Sequence, residues 1–385
     1  MGGDHRGPLS WDGSSRRVLT DPDCRTSRSY PMARIAAVGT AVPPHGVTQE
    51  AVQAFSRDHF AGALDELPRL LPVFEHAAIA RRYFSMPPDW FAHAPSFAER
   101  NAHFVEAATT LAAATAEQCL ERAGRDPAEI GTVLVVSTTG LATPSIDAYL
   151  IQRLGLSPHT RRLPLWGLGC AGGVVGLARA ADLARAAPES FVLLVAVELC
   201  ALTFCPEDRS KSNFIATALF GDGAGAVLVA GPGTGASGPR IVGAHSTLWP
   251  GTDDVMGWDV AEDGFRVRFS KDIPTFVRRH LSPAVEQFLK PYGLGPADVA
   301  HHVVHPGGPR VLGAYAEALG IPDDRLAIPR AVLCEYGNMS SASVLFVLDR
   351  TLSEGHARTG DYGLLLALGP GFSAEQLLIR WEEAE

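Results

Sequence analysis

The sequence predicts a layered α/β fold, and three observations carry that prediction. From Ala33 onward, short apolar runs of strand type alternate with longer alanine- and leucine-rich runs of helical type. The order of these runs in the first half of the chain recurs in the second, as in a duplicated unit. Two glycine-containing turns, one carrying Cys170 and the other Asn338, each open an apolar helix at matching places in the repeat.

Taken in order, an alanine-rich helical stretch, Val105 to Gly124, is followed by the strand-like "IGTVLVVSTTG" from Ile130. Next come "LPLWGLG", a helix after Cys170, and "SFVLLVAVE". The second half offers "AHHVVHPGG", the helix "PRVLGAYAEALG", then "EYGNMSSASVLFVLDRTL" and a final strand "YGLLLALGPG". The glycine-rich "GPGTGASGP", Gly231 to Pro239, separates the halves and places them at 32–235 and 236–385. Its glycines loosely match a dinucleotide fingerprint. Such a turn must open a helix so that backbone N–H groups meet the phosphates, and here Pro239 and the β-type "RIVGAH" follow, so it reads as a surface loop.

With 385 residues, 46% hydrophobic and 19% charged, the chain has enough apolar material for one large domain or two closely packed ones. A net charge of -9 without any basic block argues against nucleic acid as a partner. Runs such as "FVLLVAV" and "YGLLLALG" are too short to span a bilayer and fit buried strands. Residues 1–31 are rich in Gly, Ser, Pro, Asp and Arg, lack apolar periodicity, and read as a disordered extension; they hold no apolar signal region, which gives a cytoplasmic expectation. The six cysteines, at 24, 119, 170, 200, 205 and 334, have no C-x-x-C spacing and read as free thiols. In "HHVVH", His301 and His305 stand four apart, but the valines between them favour a strand and no glutamate or third ligand accompanies them. No metal is expected.

Cys170 admits three readings: a small buried filler, a metal ligand or a nucleophile. A free cysteine is usually only a filler. Here Gly169, Gly172 and Gly173 allow a sharp strand-to-helix turn, and the positive end of the following helix favours a thiolate. That helix carries charge only at Arg179, Asp182 and Arg185, so it is expected to be central and the site dry. A nucleophile needs a proton acceptor and an oxyanion donor. His305, at the end of a β-type run and before the rigid Pro306-Gly307-Gly308-Pro309, supplies the first; Asn338, beside Gly337 and a run of small residues, supplies the second. Alone, each has a plain packing or capping explanation.

"GCAGG" with Cys170, "ALFGDGAGAVLV" with Phe220, "HPGGP" with His305, "EYGNMSSASVLFVLD" with Asn338, and "GPG" at Gly369 to Gly371 resemble, in the same order, the type III polyketide synthases of the chalcone synthase-like family. The resemblance runs from Met32 to Arg380. It implies a thiolase fold, five-layered αβαβα with two duplicated halves, and a homodimer. "WGLGCAGGVVGLARAAD" and "WPGTDDVMGWDVAEDGF" look most like the bacterial alkylresorcinol and alkylpyrone synthases.

In that family the nucleophile matched by Cys170 accepts an acyl group from a CoA thioester. The residues matched by His305 and Asn338 bind the malonyl-CoA carbonyl and stabilise the enolate left by decarboxylation; no metal or redox cofactor takes part. Phe220 matches a phenylalanine that favours loss of CO2. The resemblance also places Thr138, Thr139, Thr143, Cys200, Thr203, Ala216, Gly257, Gly307, Gly308 and Ser340 around the substrate. Departures from the plant pattern are Thr139 for serine, Thr143 for the methionine that reaches the partner's cavity, Cys200 for threonine and Ala216 for glycine. Ala80 replaces a basic residue before "RRY", which leaves Arg81 or Arg82 as CoA phosphate contacts. The implied starter is a medium- to long-chain fatty acyl group, and the implied product an alkylresorcinol or alkylpyrone.

Other enzymes pair these residue types. Initiating ketoacyl carrier-protein synthases follow their histidine with a Q-A-N-like stretch rather than "PGGP", true thiolases need a second cysteine in a C-terminal C-x-G motif, and papain-like proteases need a C-G-x-C-W context. A catalytically silent partner subunit would lack the nucleophile. A type III synthase using a short or aromatic starter remains the nearest alternative.

Overall fold

The computed structural model describes residues 32–64, 66–354 and 356–382. The 1–31 extension lies outside the described residues.

The chain enters on β1 (Arg34–Ala41) and forms a ribbon from β2 (His45–Thr48) and β3 (Arg81–Phe84), with α1 (Gln49–His59), α2 (Leu67–Leu70) and α3 (Val73–His76) between them in sequence. After α4 (Pro88–Ala92) come α5 (Phe97–Ala123), β4 (Ile130–Val136), α6 (Ile146–Arg153), β5 (Arg161–Leu165), α7 (Gly172–Ala186), β6 (Phe191–Leu199), α8 (Lys211–Leu219) and β7 (Asp222–Ala230). The second half runs through β8 (Arg240–Leu248), a hairpin of β9 (Met256–Ala261) and β10 (Gly264–Phe269), α9 (Ile273–Leu289), β11 (Val299–Val304), α10 (Pro309–Leu319) and α11 (Ala327–Tyr336). It finishes with α12 (Ser343–Ser353), β12 (Tyr362–Gly369) and β13 (Ser373–Arg380). Two sequence expectations change. The helix expected from Val105 begins at Phe97, because Ser96 and Glu99 cap each other reciprocally there. The run read as the final strand is followed by β13, whose "SAEQLLIR" mixes polar with apolar residues and hides its strand character.

The strand order β5-β4-β6-β7-β1 continues through β8-β13-β12-β11. In the first half β4 and β6 are parallel, while β6–β7 and β7–β1 are antiparallel. In the second half β11 and β12 are parallel, while β12–β13 and β13–β8 are antiparallel. Reading β8, β11, β12 and β13 onto β1, β4, β6 and β7 therefore reproduces order and direction. The halves join where Arg34 meets Arg240, and both arginines pair with Glu382.

Three apolar clusters separate five layers. One lies between α5 and the first-half strands, one between the two half-sheets around α7 and α12, and one between the second-half strands and α9 and α10. α7 is central because its charges gather at Arg179, Asp182 and Arg185, which pair with one another. Gly173 lets it meet α12, since a Cβ there would lie 2.3 Å from the Ser341 carbonyl oxygen. β6 and β7 are buried along their whole length, as their near-continuous apolar runs require. Among the described residues, no helix is long and apolar enough to cross a membrane.

Candidate active site

Cys170 sits in the middle of a 3₁₀ turn, Gly169–Ala171, that leads into α7, and it is 8% exposed. The turn packs under the end of β12, where a Cβ on Gly369 would meet Ala171 Cβ at 2.5 Å. Burial pushes the Cys170 thiol up to about 12; hydrogen bonding from the Ser340 and Asn338 side chains pulls the other way, and the buried Glu198 charge adds to the rise. Desolvation thus works against the thiolate that the helix N-terminus favours.

His305 follows β11 directly and is 3% exposed. Its backbone N–H donates to Leu366 O at 2.8 Å, which ties it to β12. Neither ring nitrogen has a hydrogen-bond partner, and burial pushes the imidazole down to about 3. Asn338, also 3% exposed, connects to the same turn: Nδ2 donates to Gly307 O at 3.1 Å, while Oδ1 accepts from Ser340 N at 2.9 Å. A Cβ on Gly307 would lie 3.4 Å from His305 Nε2, so the Asn338 amide, the Gly307 peptide and the imidazole are neighbours. Ser340 holds φ at +48°, a strained value for a non-glycine residue and one that clusters at functional sites.

Beneath this group lies Glu198, a carboxylate with no exposed surface on β6. It accepts four hydrogen bonds: from Thr138 N at 2.9 Å, Thr138 Oγ1 at 2.9 Å, Thr139 Oγ1 at 2.8 Å and Ser341 Oγ at 2.5 Å. Burial raises its pKa even so. Asp222, at the start of β7, accepts from Ala201 N at 2.7 Å and Ser85 N at 2.8 Å, and burial pushes it up to about 7.

An apolar cavity opens beside the group. Its lining includes Cys200, Thr203, Ala216 and Phe220, together with Phe55 of α1 and Phe91 of α4. The β9–β10 hairpin contributes as well: Val267 lines the cavity, while Trp258 and Phe269 pack edge-on against Phe220 at 6.1 and 5.7 Å between ring centres. Trp258 Nε1 donates to Thr138 O at 3.1 Å, which fastens the hairpin to the end of β4.

Residues 22–233 match the family model of chalcone and stilbene synthases, N-terminal domain, and residues 240–381 match that of the C-terminal domain. The chain belongs to the chalcone and stilbene synthase family. A putative chalcone synthase of Bacillus subtilis (strain 168) is 42% identical over 363 residues, covering 91% of this chain and 100% of the relative. A 1,3,6,8-tetrahydroxynaphthalene synthase of Streptomyces peucetius subsp. caesius is 38% identical over 350 residues, covering 90% and 93%. Among solved structures, the 1,3,6,8-tetrahydroxynaphthalene synthase of Streptomyces coelicolor A3(2), a bacterial type III polyketide synthase, superposes with a TM-score of 0.87 at 32% identity, covering 91% and 99%. The protein is a type III polyketide synthase of thiolase fold, a transferase that condenses CoA thioesters with malonyl-CoA with loss of CO2.

Within the synthase, Cys170, Asn338, Ser340 and Glu198 form one buried electrostatic group, and Gly307 joins His305 to it. Gly308 caps the start of α10. Thr143 is exposed on the loop before α6, and Gly257 on β9 has open space where a Cβ would stand. Arg82 departs from the expectation of a phosphate contact: it is completely buried and its guanidinium is spent on backbone carbonyls, whereas Arg81 is exposed. Sequence reasoning missed Glu198, although a glutamate inside "FVLLVAVEL" is itself a signal, since a buried strand keeps a carboxylate only where donors await it. It also missed Trp258 and Phe269, whose part in the site depends on where the hairpin folds. Cys119, Cys170, Cys200, Cys205 and Cys334 are free thiols. Among the described residues, no group of three or more His, Cys, Asp or Glu side chains is arranged to hold a metal.

Proposed function

We propose that Cys170 takes an acyl group from a fatty acyl-CoA of medium to long chain, and that the product is an alkylresorcinol or alkylpyrone. The Cys170 proton passes to His305 as sulfur attacks the thioester carbonyl, and the CoA thiolate leaves with a proton. Burial of both groups favours their neutral forms, so this transfer is drawn by the reaction rather than completed beforehand. His305 and Asn338 then hold the thioester carbonyl of malonyl-CoA as CO2 departs. The resulting enolate attacks the Cys170 thioester, forming a C–C bond and releasing the cysteine sulfur. Phe220 keeps the departing carboxylate in an apolar setting. After further rounds, aldol closure gives the resorcinol and lactonisation the pyrone.

The observation that carries the starter assignment is the apolar cavity lined by Cys200, Phe220, Phe55 and Phe91. Each methylene buried there contributes about 0.8 kcal/mol, so affinity rises with chain length until the cavity is full. Relatives named tetrahydroxynaphthalene synthase favour a second reading in which no fatty starter is used. Product formation from malonyl-CoA with a ladder of acyl-CoA starters separates them. Rates that climb with chain length support the fatty starter, and a single product that ignores the added starter contradicts it.

A homodimer accompanies this reading. β5 lies at the edge of the sheet, and Leu141 and Trp166 near it are 46% and 50% exposed, an apolar surface suited to a second copy. Sedimentation at micromolar concentration tests it, and a monomer there counts against it.

A further inference from the structure

Arg82 is a buried cation that the reaction scheme leaves unused. It stands on β3 with no exposed surface, and its guanidinium faces the C-terminal end of α8. Nη1 donates to Thr217 O at 2.7 Å and Phe220 O at 2.9 Å; Nη2 donates to Ala218 O at 3.0 Å and to the Gln49 side-chain oxygen. All four acceptors are neutral. Burying a charge against neutral partners is costly, and what offsets the cost here is the converging carbonyls at the negative end of a helix. A helix end at the surface needs no such device.

The carbonyls it gathers belong to the segment that aims Phe220. That segment is also welded to Asn338: Asn338 N donates to Leu219 O at 2.8 Å, and Gly221 N donates to Asn338 O at 3.0 Å, so Phe220 and Asn338 face each other across a parallel bridge. Gly337, at φ +71°, permits this approach, because a Cβ there would lie 2.9 Å from Leu219 O and 3.5 Å from Arg82 Cβ. The Arg82 stem and guanidinium thus support one backbone unit carrying both side chains. The Cys170 backbone is held from elsewhere, by the end of β12 and the start of α7, and the Asn338 segment reaches its thiol only through the Asn338 and Ser340 side chains.

We propose that Arg82 is a positioning residue for the decarboxylation step: it sets Phe220 and Asn338 in register over the malonyl thioester and bears less directly on the loading of Cys170, whose backbone it does not support. This rests on the assignment of Phe220 and Asn338 to that thioester.

The test compares Arg82→Lys with the wild-type enzyme in two assays, CO2 release from carboxyl-labelled malonyl-CoA and single-turnover acylation of Cys170 by acyl-CoA, read by intact mass. Thermal melts normalise both to folded protein. A lysine keeps the charge but cannot reach all the carbonyls at once. CO2 release should fall roughly tenfold to a hundredfold, as expected for a reacting group displaced by a fraction of an ångström to an ångström, with a much smaller fall in acylation. Gln49→Met, which removes one partner of the guanidinium and leaves Arg82 in place, should bias the two rates in the same direction and carries the comparison if the lysine variant does not fold. Equal loss of both rates, or unchanged CO2 release, overturns the proposal. A wild-type enzyme that releases no CO2 from malonyl-CoA would instead remove the assignment beneath it.

Discussion

β4 and β11 occupy equivalent places in the two halves, and each delivers a polar residue at its C-terminal end, Thr138 in the first half and His305 in the second. Thr138 is fully engaged: its N–H and hydroxyl both bind Glu198, and its carbonyl accepts from Trp258. His305 is just as buried, yet both ring nitrogens are without partners. Buried polar groups are nearly always satisfied, so an orphaned pair marks a place where something else is meant to bind. The two equivalent strand ends therefore differ: Thr138 is satisfied by the protein, whereas the His305 ring is left for a substrate.

The largest effect expected from this division is at the nucleophile. Cys170→Ala should abolish both product and acyl-enzyme mass, read by chromatography and intact-protein mass spectrometry after incubation with acyl-CoA and malonyl-CoA. Residual covalent acyl mass in that variant would move the nucleophile elsewhere.

Next in size is a stability contrast between the two buried groups. Glu198→Leu strands the hydroxyl donors of Thr138, Thr139 and Ser341 and should cost about 1–3 kcal/mol for each donor left unsatisfied. His305→Leu strands no donor and fills its space with an apolar group, so it should change stability by roughly 1 kcal/mol or less. Denaturant unfolding measures both. Equal costs would erase the distinction between the two buried groups.

A smaller, selective effect concerns the cavity wall. Cys200→Phe should remove the longest acyl starters and spare short ones; losing about three buried methylenes of contact would cost the longest chains about 2 kcal/mol of binding energy. A loss independent of chain length, with a lowered Tm, would mean that the phenylalanine overpacks the core.

The smallest effect is on acid sensitivity. The His305 pKa in the folded protein, about 3, lies below its ordinary 6.5, so between these values the unfolded chain binds the proton more readily and stability falls as pH is lowered. His302, pushed down to about 4 by burial, adds the same trend, while Asp222, pushed up to about 7, opposes it between 3.8 and 7. His305→Leu should therefore lose less stability than wild type on going from pH 6.5 to pH 4, as measured by Tm. A parallel decline would show that His305 takes up a proton without penalty.

Much of this was legible in the sequence because backbone chemistry and periodicity act locally. The apolar runs of β6 and β12, the glycines around Cys170 and the proline-glycine turn after His305 each specify their own conformation. The resemblance then tied three weak signals together. What stayed hidden depends on contacts between distant segments. Arg82 looks like any surface arginine until β3 is packed against the end of α8, and Thr138 and Glu198 stand 60 residues apart. The desolvation that opposes a Cys170 thiolate stayed hidden for the same reason: a helix N-terminus is visible locally, whereas burial is a property of the whole fold.

The most direct test of the division of labour is CO2 release from carboxyl-labelled malonyl-CoA by the folded Cys170→Ala protein, beside His305→Leu. If His305 and Asn338 form the decarboxylation site independently of the thiol, Cys170→Ala continues to release CO2 while His305→Leu does not. A well-folded Cys170→Ala protein that releases none would contradict the account.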